Sequence, residues 1–294
     1  MHELLASAGN LLVEYGQRVA VAGLACLALE LVFPASRYSL WSRLRGVMMV
    51  SAYIAITVGF FTVFNRLWAS LGVQPLIDVD LSALTMSPFL PVRVFGWVFV
   101  PLAIGSVAEF FYYWFHRAQH AVPFLWRFHE VHHSVREMSA LNCNHHWTEE
   151  IFRVPVITIP LSLLFRFNPG YVPTVIYFVI GLQGLFEHSS TRLHLGPFRY
   201  LLPDNRFHRI HHSIHPQDWG HNFGSGCLLW DVMFRTARFP RPGEWPEVGV
   251  PGVEEPRTLG DFLLRPFRRR SRATPPQAAP ANTRQVLEPS FQLD

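Results

Sequence analysis

At 294 residues the chain has room for one large domain or two small ones. Half of it is hydrophobic, only 16% is charged and the mean hydropathy is +0.18, a balance that suits a membrane protein better than a soluble enzyme. The net charge of +4 comes from 25 basic residues, all of them Arg, and no basic stripe marks a nucleic-acid partner.

Met1 to Tyr15 lacks the basic n-region of a cleaved signal peptide. Val19 to Phe33 is apolar apart from Glu30 and, with its flanks, approaches the roughly 20 residues that span hydrocarbon. Arg37, Arg43 and Arg45 follow, a positive cluster expected to stay cytoplasmic. A second span is predicted at about Val47 to Phe64, then a loop with Pro75, Asp78 and Asp80. A third, about Val94 to Phe115, runs directly into His116. This order places the histidines on the face of the Arg cluster. Ile151 to Phe165 and Val172 to Phe186, broken at Asn168-Pro169-Gly170, read as a tilted or re-entrant hairpin that returns His188 to that face. Beyond Asp231 the chain turns Pro-rich. Arg265 to Arg272 is expected against anionic headgroups, and Ala273 to Asp294 as a disordered tail. The expected organisation is 1–108 as N-terminal transmembrane helices, 109–236 as a His-rich region with a membrane hairpin, and 237–294 as a largely disordered Pro/Arg-rich extension. The expected fold class is all-α: an integral-membrane bundle of about four spanning or hairpin helices with a cytosolic His-rich cap.

The histidines carry the chemistry. His116 and His120 form H-x-x-x-H; His129, His132 and His133 form H-x-x-H-H, and His208, His211 and His212 repeat it. On helices the first pair projects from one face about 6 Å apart along the axis, and the i, i+3, i+4 triplets likewise share a face. With 15 His in the chain, roughly 0.04 copies of H-x-x-H-H are expected by chance and two occur, so the pattern is not accidental. A structural zinc site needs four ligands and usually uses cysteine. Cys26, Cys143 and Cys227 are far apart and lack C-x-x-C spacing, which argues against a disulfide framework, and Cys143 reads as an apolar thiol rather than a soft ligand. Eight clustered imidazoles with His188 as a ninth suit two metals better than one tetrahedral ion. Neutral imidazole accepts Zn, Fe, Cu or Ni, so ligand type alone does not choose between them.

The order H-x-x-x-H, H-x-x-H-H, an isolated His, then H-x-x-H-H resembles the fatty acid hydroxylase/sterol desaturase superfamily of membrane di-iron enzymes. Flanking residues agree: Phe111-Tyr-Tyr-Trp-Phe-His-Arg-Ala-Gln-His120, Trp126-Arg-Phe-His-Glu-Val-His-His-Ser134, Phe207-His-Arg-Ile-His-His-Ser213, and His221-Asn-Phe-Gly224 with Leu229-Trp-Asp231. The resemblance covers roughly Glu109 to Thr236. It implies metal-ligand roles for His116, His120, His129, His132, His133, His188, His208, His211 and His212. Some members carry a histidine four residues before the isolated one; here Gly184 stands there, leaving a tenth position to water or His221. Asn144-His-His-Trp-Thr-Glu149 resembles a family R-x-H-P-x-E stretch in which only His146 and Glu149 align, making His146 an auxiliary candidate. Glu109, two turns before His116, is expected to orient a ligand imidazole, with an Arg salt bridge as the alternative; Asp231 permits a similar choice.

The implied cofactor is a pair of non-haem irons, with zinc able to substitute. The implied activity is O2-dependent hydroxylation, or desaturation, of a lipid C–H bond in a fatty acyl chain, sterol-like molecule, carotenoid or ether lipid. The chain has neither G-x-G-x-x-G nor H-P-G-G, so electrons are expected from a separate reductase with a ferredoxin or cytochrome. The expected setting is a bacterial inner membrane with the metal site cytoplasmic. Two rivals remain: a membrane zinc hydrolase, although H-E-x-x-H is absent, and a non-enzymatic metal-binding membrane protein.

Overall fold

A computed structural model of the chain describes residues 2–143, 145–168 and 172–268. Asn144, residues 169–171 with the expected turn at Pro169 and Gly170, the basic residues 269–272 and the segment Ala273 to Asp294 lie outside the described residues.

Three long apolar helices lead: α1 (His2–Val32), α2 (Leu40–Ser70) and, after β1 (Ile77–Asp80) and the single turn α3 (Ser82–Thr85), α4 (Leu90–Ala121). Each is long and apolar enough to cross a membrane, over Ala8–Val32, Leu40–Ser70 and Leu90–Ala121. α2 starts where the Ser39 hydroxyl oxygen accepts from the Ser42 amide at 3.1 Å, an ordinary N-cap. α4 runs well past the predicted Phe115, so His116 and His120 occupy its last two turns and the expected boundary at residue 108/109 falls inside one continuous helix.

α5 (Pro123–His133) begins one residue after α4 ends. Pro123 has no N–H to continue the ladder but its fixed φ suits a first helical turn, so the chain turns a corner at Val122. The expected limb Ile151 to Phe165 is a continuous helical run with a π-turn inside it, ending at a short strand. It consists of α6 (Glu149–Arg153), a π-turn (Val154–Thr158) and α7 (Ile159–Leu164), then β2 (Phe165–Asn168). Pro155 and Pro160 each remove an intrahelical hydrogen bond, and the π-turn absorbs the mismatch. α8 (Val172–Glu187) returns, followed by a 3₁₀ turn (Gly196–Tyr200), α9 (Asn205–His211), a second 3₁₀ turn (Pro216–Asp218), α10 (Leu229–Met233) and α11 (Leu259–Arg268).

β1 and β2 pair in parallel, Ile77 opposite Phe165 and Asp80 opposite Asn168. This small sheet, absent from the all-α expectation, ties the loop between α2 and α3 to the far end of the hairpin. The near ends of the hairpin, Glu149 and His188, lie among the histidines.

The expectation that 237–294 is largely disordered is corrected for its first half. Val248 and Val250 are buried, the Ser213–Val248 bridge pairs this stretch with the α9 end, and Phe262 of α11 is fully buried against Met49 and Val131. Those apolar side chains bind the Pro-rich stretch to the bundle despite its polar, loop-like composition.

Candidate metal centre

The corner at Val122 sets α4 and α5 face to face at their histidines. His116 Nε2 and His129 Nε2 are 3.0 Å apart, and His133 Nε2 lies 3.1 Å from His129 Nε2. α9, capped by Asp204, whose side chain accepts from the Arg206 and Phe207 amides, brings the third motif in: His211 Nε2 is 3.0 Å from His116 Nε2. On its other side, His208 Nε2 meets His188 Nε2 at 3.0 Å and His212 Nε2 at 3.1 Å, while His188 Nε2 is 3.3 Å from His132 Nε2.

These nitrogens form two groups: His116, His120, His129, His133 and His211 in one, His132, His188, His208 and His212 in the other, with the ligand atoms of each group within 4.8 Å of one another. The expectation that each triplet presents one shared face is therefore refined. Residues i and i+4 of each triplet converge, but the i+3 histidine leans away by about 100° of helix rotation relative to i+4. α5 gives its outer pair to the first group and His132 to the second; α9 gives its outer pair to the second and His211 to the first.

The donor set suits cations on physical grounds. His116 Nδ1 donates to the Phe223 carbonyl at 2.7 Å, His211 Nδ1 to the His221 carbonyl at 2.8 Å and His188 Nδ1 to the Gly184 carbonyl at 2.6 Å. A neutral ring that donates from Nδ1 has only a lone pair at Nε2. The lone pairs of His116 and His211 thus face each other at 3.0 Å, a repulsive contact unless a positive charge lies between them. Nitrogens sharing one ion at ~2.1 Å are expected roughly 3.0–3.4 Å apart, the spacing found. Both ring nitrogens of His120 are buried with no hydrogen-bond partner, an arrangement costly without a ligand. Burial pushes His188 and His211 down to about 3 and holds His132, His133, His208 and His212 well below the usual imidazole range, so these rings keep their lone pairs at neutral pH.

The supporting residues differ from expectation. His146 is buried away from both groups, its Nδ1 2.7 Å from Thr148 Oγ1 and its Nε2 3.2 Å from the Leu263 carbonyl, so it seats α11. Its neighbour His145 reaches the site instead, stacked on His132 at 3.9 Å between ring centroids. Glu149, buried, accepts from Gln119 Nε2 at 2.6 Å and His145 Nδ1 at 3.1 Å and lies 3.4 Å from His129 Nδ1. Sequence reasoning aligned Glu149 but gave it no role; its four-residue spacing from His145 was the available signal. Glu187 was missed: buried beside His188, it accepts from Ser225 Oγ at 2.6 Å and approaches His208 Nδ1 at 4.0 Å.

Glu109 touches no imidazole and forms no ion pair with Arg among the described residues. Its carboxylate accepts from the Ser225 amide at 3.2 Å, and a Cβ at Gly226 would sit 2.8 Å from it, which is why glycine stands there. His221 contributes its carbonyl rather than its ring, whose Nδ1 is 3.2 Å from the Asp218 carbonyl. Asp231 accepts from the amides of Phe223 and Gly224 at 2.9 and 2.7 Å and from Thr236 Oγ1 at 2.6 Å. It fixes the loop whose Phe223 carbonyl orients His116. Asp231→Ala should therefore lower metal affinity or activity about 10–100-fold, the range for loss of a group that orients a ligand. Iron titration of the purified variant in detergent checks this; unchanged affinity would remove Asp231 from the account.

Comparison with known proteins points the same way. The Fatty acid hydroxylase family model matches residues 101–236. "Ornithine lipid hydroxylase OlsE" of Rhizobium tropici is 31% identical over 167 residues, 56% of this chain and 50% of that protein. "Alkylglycerol monooxygenase" of Danio rerio is 31% identical over 125 residues, 42% of this chain and 27% of that protein. "Fatty acid hydroxylase vlmA" of Lecanicillium sp is 28% identical over 180 residues, 55% of this chain and 48% of that protein. The match thus spans half or less of each relative's length. No solved structure matches.

Proposed function

From the premise that residues 101–236 place this chain in the fatty acid hydroxylase/sterol desaturase superfamily, we propose that it is a membrane-bound di-iron oxidoreductase that hydroxylates a C–H bond of a lipid. The observation that carries the reading is the division of nine buried imidazoles into groups of five and four with ring nitrogens converging in each. Glycerol- or amino-acid-based lipids are the substrate class that the relatives' names suggest.

His116, His120, His129, His133 and His211 would hold one iron and His132, His188, His208 and His212 the other. When bound, the pair supplies O2 activation and oxidation of an unactivated C–H bond. The chain's own part is positioning. The carbonyls of Phe223, His221 and Gly184 hold three rings with Nε2 inward, and Glu149 holds His129. Burial keeps the imidazoles neutral. Which carbon is presented to the site decides between hydroxylation and desaturation. Electrons come from a separate donor.

The test is lipid profiling of cells expressing the chain or its His132→Ala variant under 18O2. A lipid carrying one labelled oxygen, absent with the variant, is the expected result. An unlabelled, O2-dependent alkene would assign desaturation instead. O2-independent hydrolysis with bound zinc would overturn the oxidoreductase reading in favour of the hydrolase.

A further inference from the structure

We propose that the 3₁₀ turn Gly196–Tyr200 with Leu201, and α10, form a lip embedded in the hydrocarbon of the bilayer leaflet on the histidine side, contacting phospholipid directly. The inference rests on the surface of this region and on α4 as a spanning helix, not on the metal reading.

The two elements adjoin: the Leu228 amide donates to the Leu201 carbonyl at 3.2 Å. Together they expose Phe198, Tyr200, Leu201, Leu229, Val232 and Met233, each between 47% and 66% accessible. A contiguous apolar surface of this kind is rarely left to water.

Its depth follows from α4. Trp230 Nε1 donates to the Ser106 carbonyl at 2.8 Å and its ring packs on Phe110 at 4.8 Å, while Phe234 packs on Trp114 at 4.9 Å. α10 therefore lies alongside the Ser106–Trp114 stretch of a membrane-spanning helix. At ~1.5 Å per residue, Ser106 is about 24 Å and Trp114 about 36 Å along α4 from Leu90, so α10 straddles the histidine-side edge of a hydrocarbon layer of about 30 Å counted from Leu90. Leu102 and Val107, at the same level of α4, are exposed as lipid-facing residues are. The lip continues that surface.

The charge around it selects the occupant. Arg199 and Arg235 flank the apolar residues, and Asp231, the one acid within 192–202 and 228–239, is buried and hydrogen-bonded inward. Apolar side chains bordered by arginine fit acyl chains below anionic headgroups. A twofold dimer through this face would bring the arginines of one copy against those of the other.

The experiment uses the full chain in nanodiscs of phosphatidylcholine and phosphatidylglycerol. A photo-crosslinking benzophenone amino acid replaces Phe198 or, separately, Met233, with exposed Gln217 on the second 3₁₀ turn as control. Intact-mass analysis after irradiation should show phospholipid adducts at both lip positions, at least ~10-fold above the control, enriched in phosphatidylglycerol over its share of the bilayer. The two sites lie on separate elements, so failure of one variant to fold leaves the other decisive. Adducts to a second copy of the chain, adducts only within the chain, or lipid capture no greater than at Gln217 would each overturn the proposal.

Discussion

On the di-iron reading proposed above, replacing His208 by alanine should abolish lipid oxidation and leave the purified protein with about one iron per chain. The residue belongs to the four-nitrogen group with His132, His188 and His212. Its Nε2 is in contact with two of the other three, at 3.0 Å to His188 and 3.1 Å to His212. Three nitrogens remain in the variant, below the four ligands of an ordinary closed imidazole site. The five-nitrogen group behaves differently. His120→Ala still leaves His116, His129, His133 and His211, so that variant should keep more metal than His208→Ala although its activity also falls. Both should lose more activity than the roughly 10–100-fold expected when only an orienting partner is removed. Metal analysis with a product assay on the same preparations decides the matter. Two irons retained in His208→Ala, or greater metal loss in His120→Ala, would refute the partition into five and four.

Glu30→Ala should destabilise the fold by about 3–5 kcal/mol, the cost of stranding a buried charge whose partner has been removed. Glu30 is 1% exposed near the end of α1. One oxygen accepts from the Arg43 guanidinium of α2; the other accepts from the Ala140 amide at 2.9 Å and the Ser190 amide at 3.0 Å. A single carboxylate thus joins α1, α2, the loop after α5 and the strand-like segment after His188. Alanine leaves Arg43 without its partner and two buried N–H groups unsatisfied, each of which adds a penalty. Because Ser190 and Ala140 flank segments that carry His188 and the α5 histidines, the damage should reach the metal groups as well. Thermal unfolding of the purified protein in detergent, with metal content measured in parallel, checks this. A variant that melts as the parent does would show that the pair contributes little.

How far the sequence goes can be judged residue by residue. The three apolar runs before His116 specified spanning helices because a bilayer demands about 20 continuous apolar residues and an internally satisfied backbone. The repeated H-x-x-H-H spacing specified that imidazoles would gather, since helical periodicity sets which residues neighbour one another along the chain. Periodicity is a local quantity, however. It could not say that His132 and His211 would leave their own triplets to join the opposite group, because that depends on how α5 and α9 meet. Nor could it choose His145 over His146: adjacent residues point in different directions, and only the docking of α11, which takes His146 to the Leu263 carbonyl, settles which ring faces inward. Glu30 looked like a single charge in an apolar run, and Glu109 like an orienting partner two turns from His116. The backbone amides that bind them, those of Ser190 and Ser225, lie 160 and 116 residues away along the chain. Helices, spans and the presence of a polyhistidine centre are set by spacing within a segment. The partition of ligands, their orienting carbonyls and the pins that hold the segments together are set by contacts between segments, and those exist only once the chain has packed.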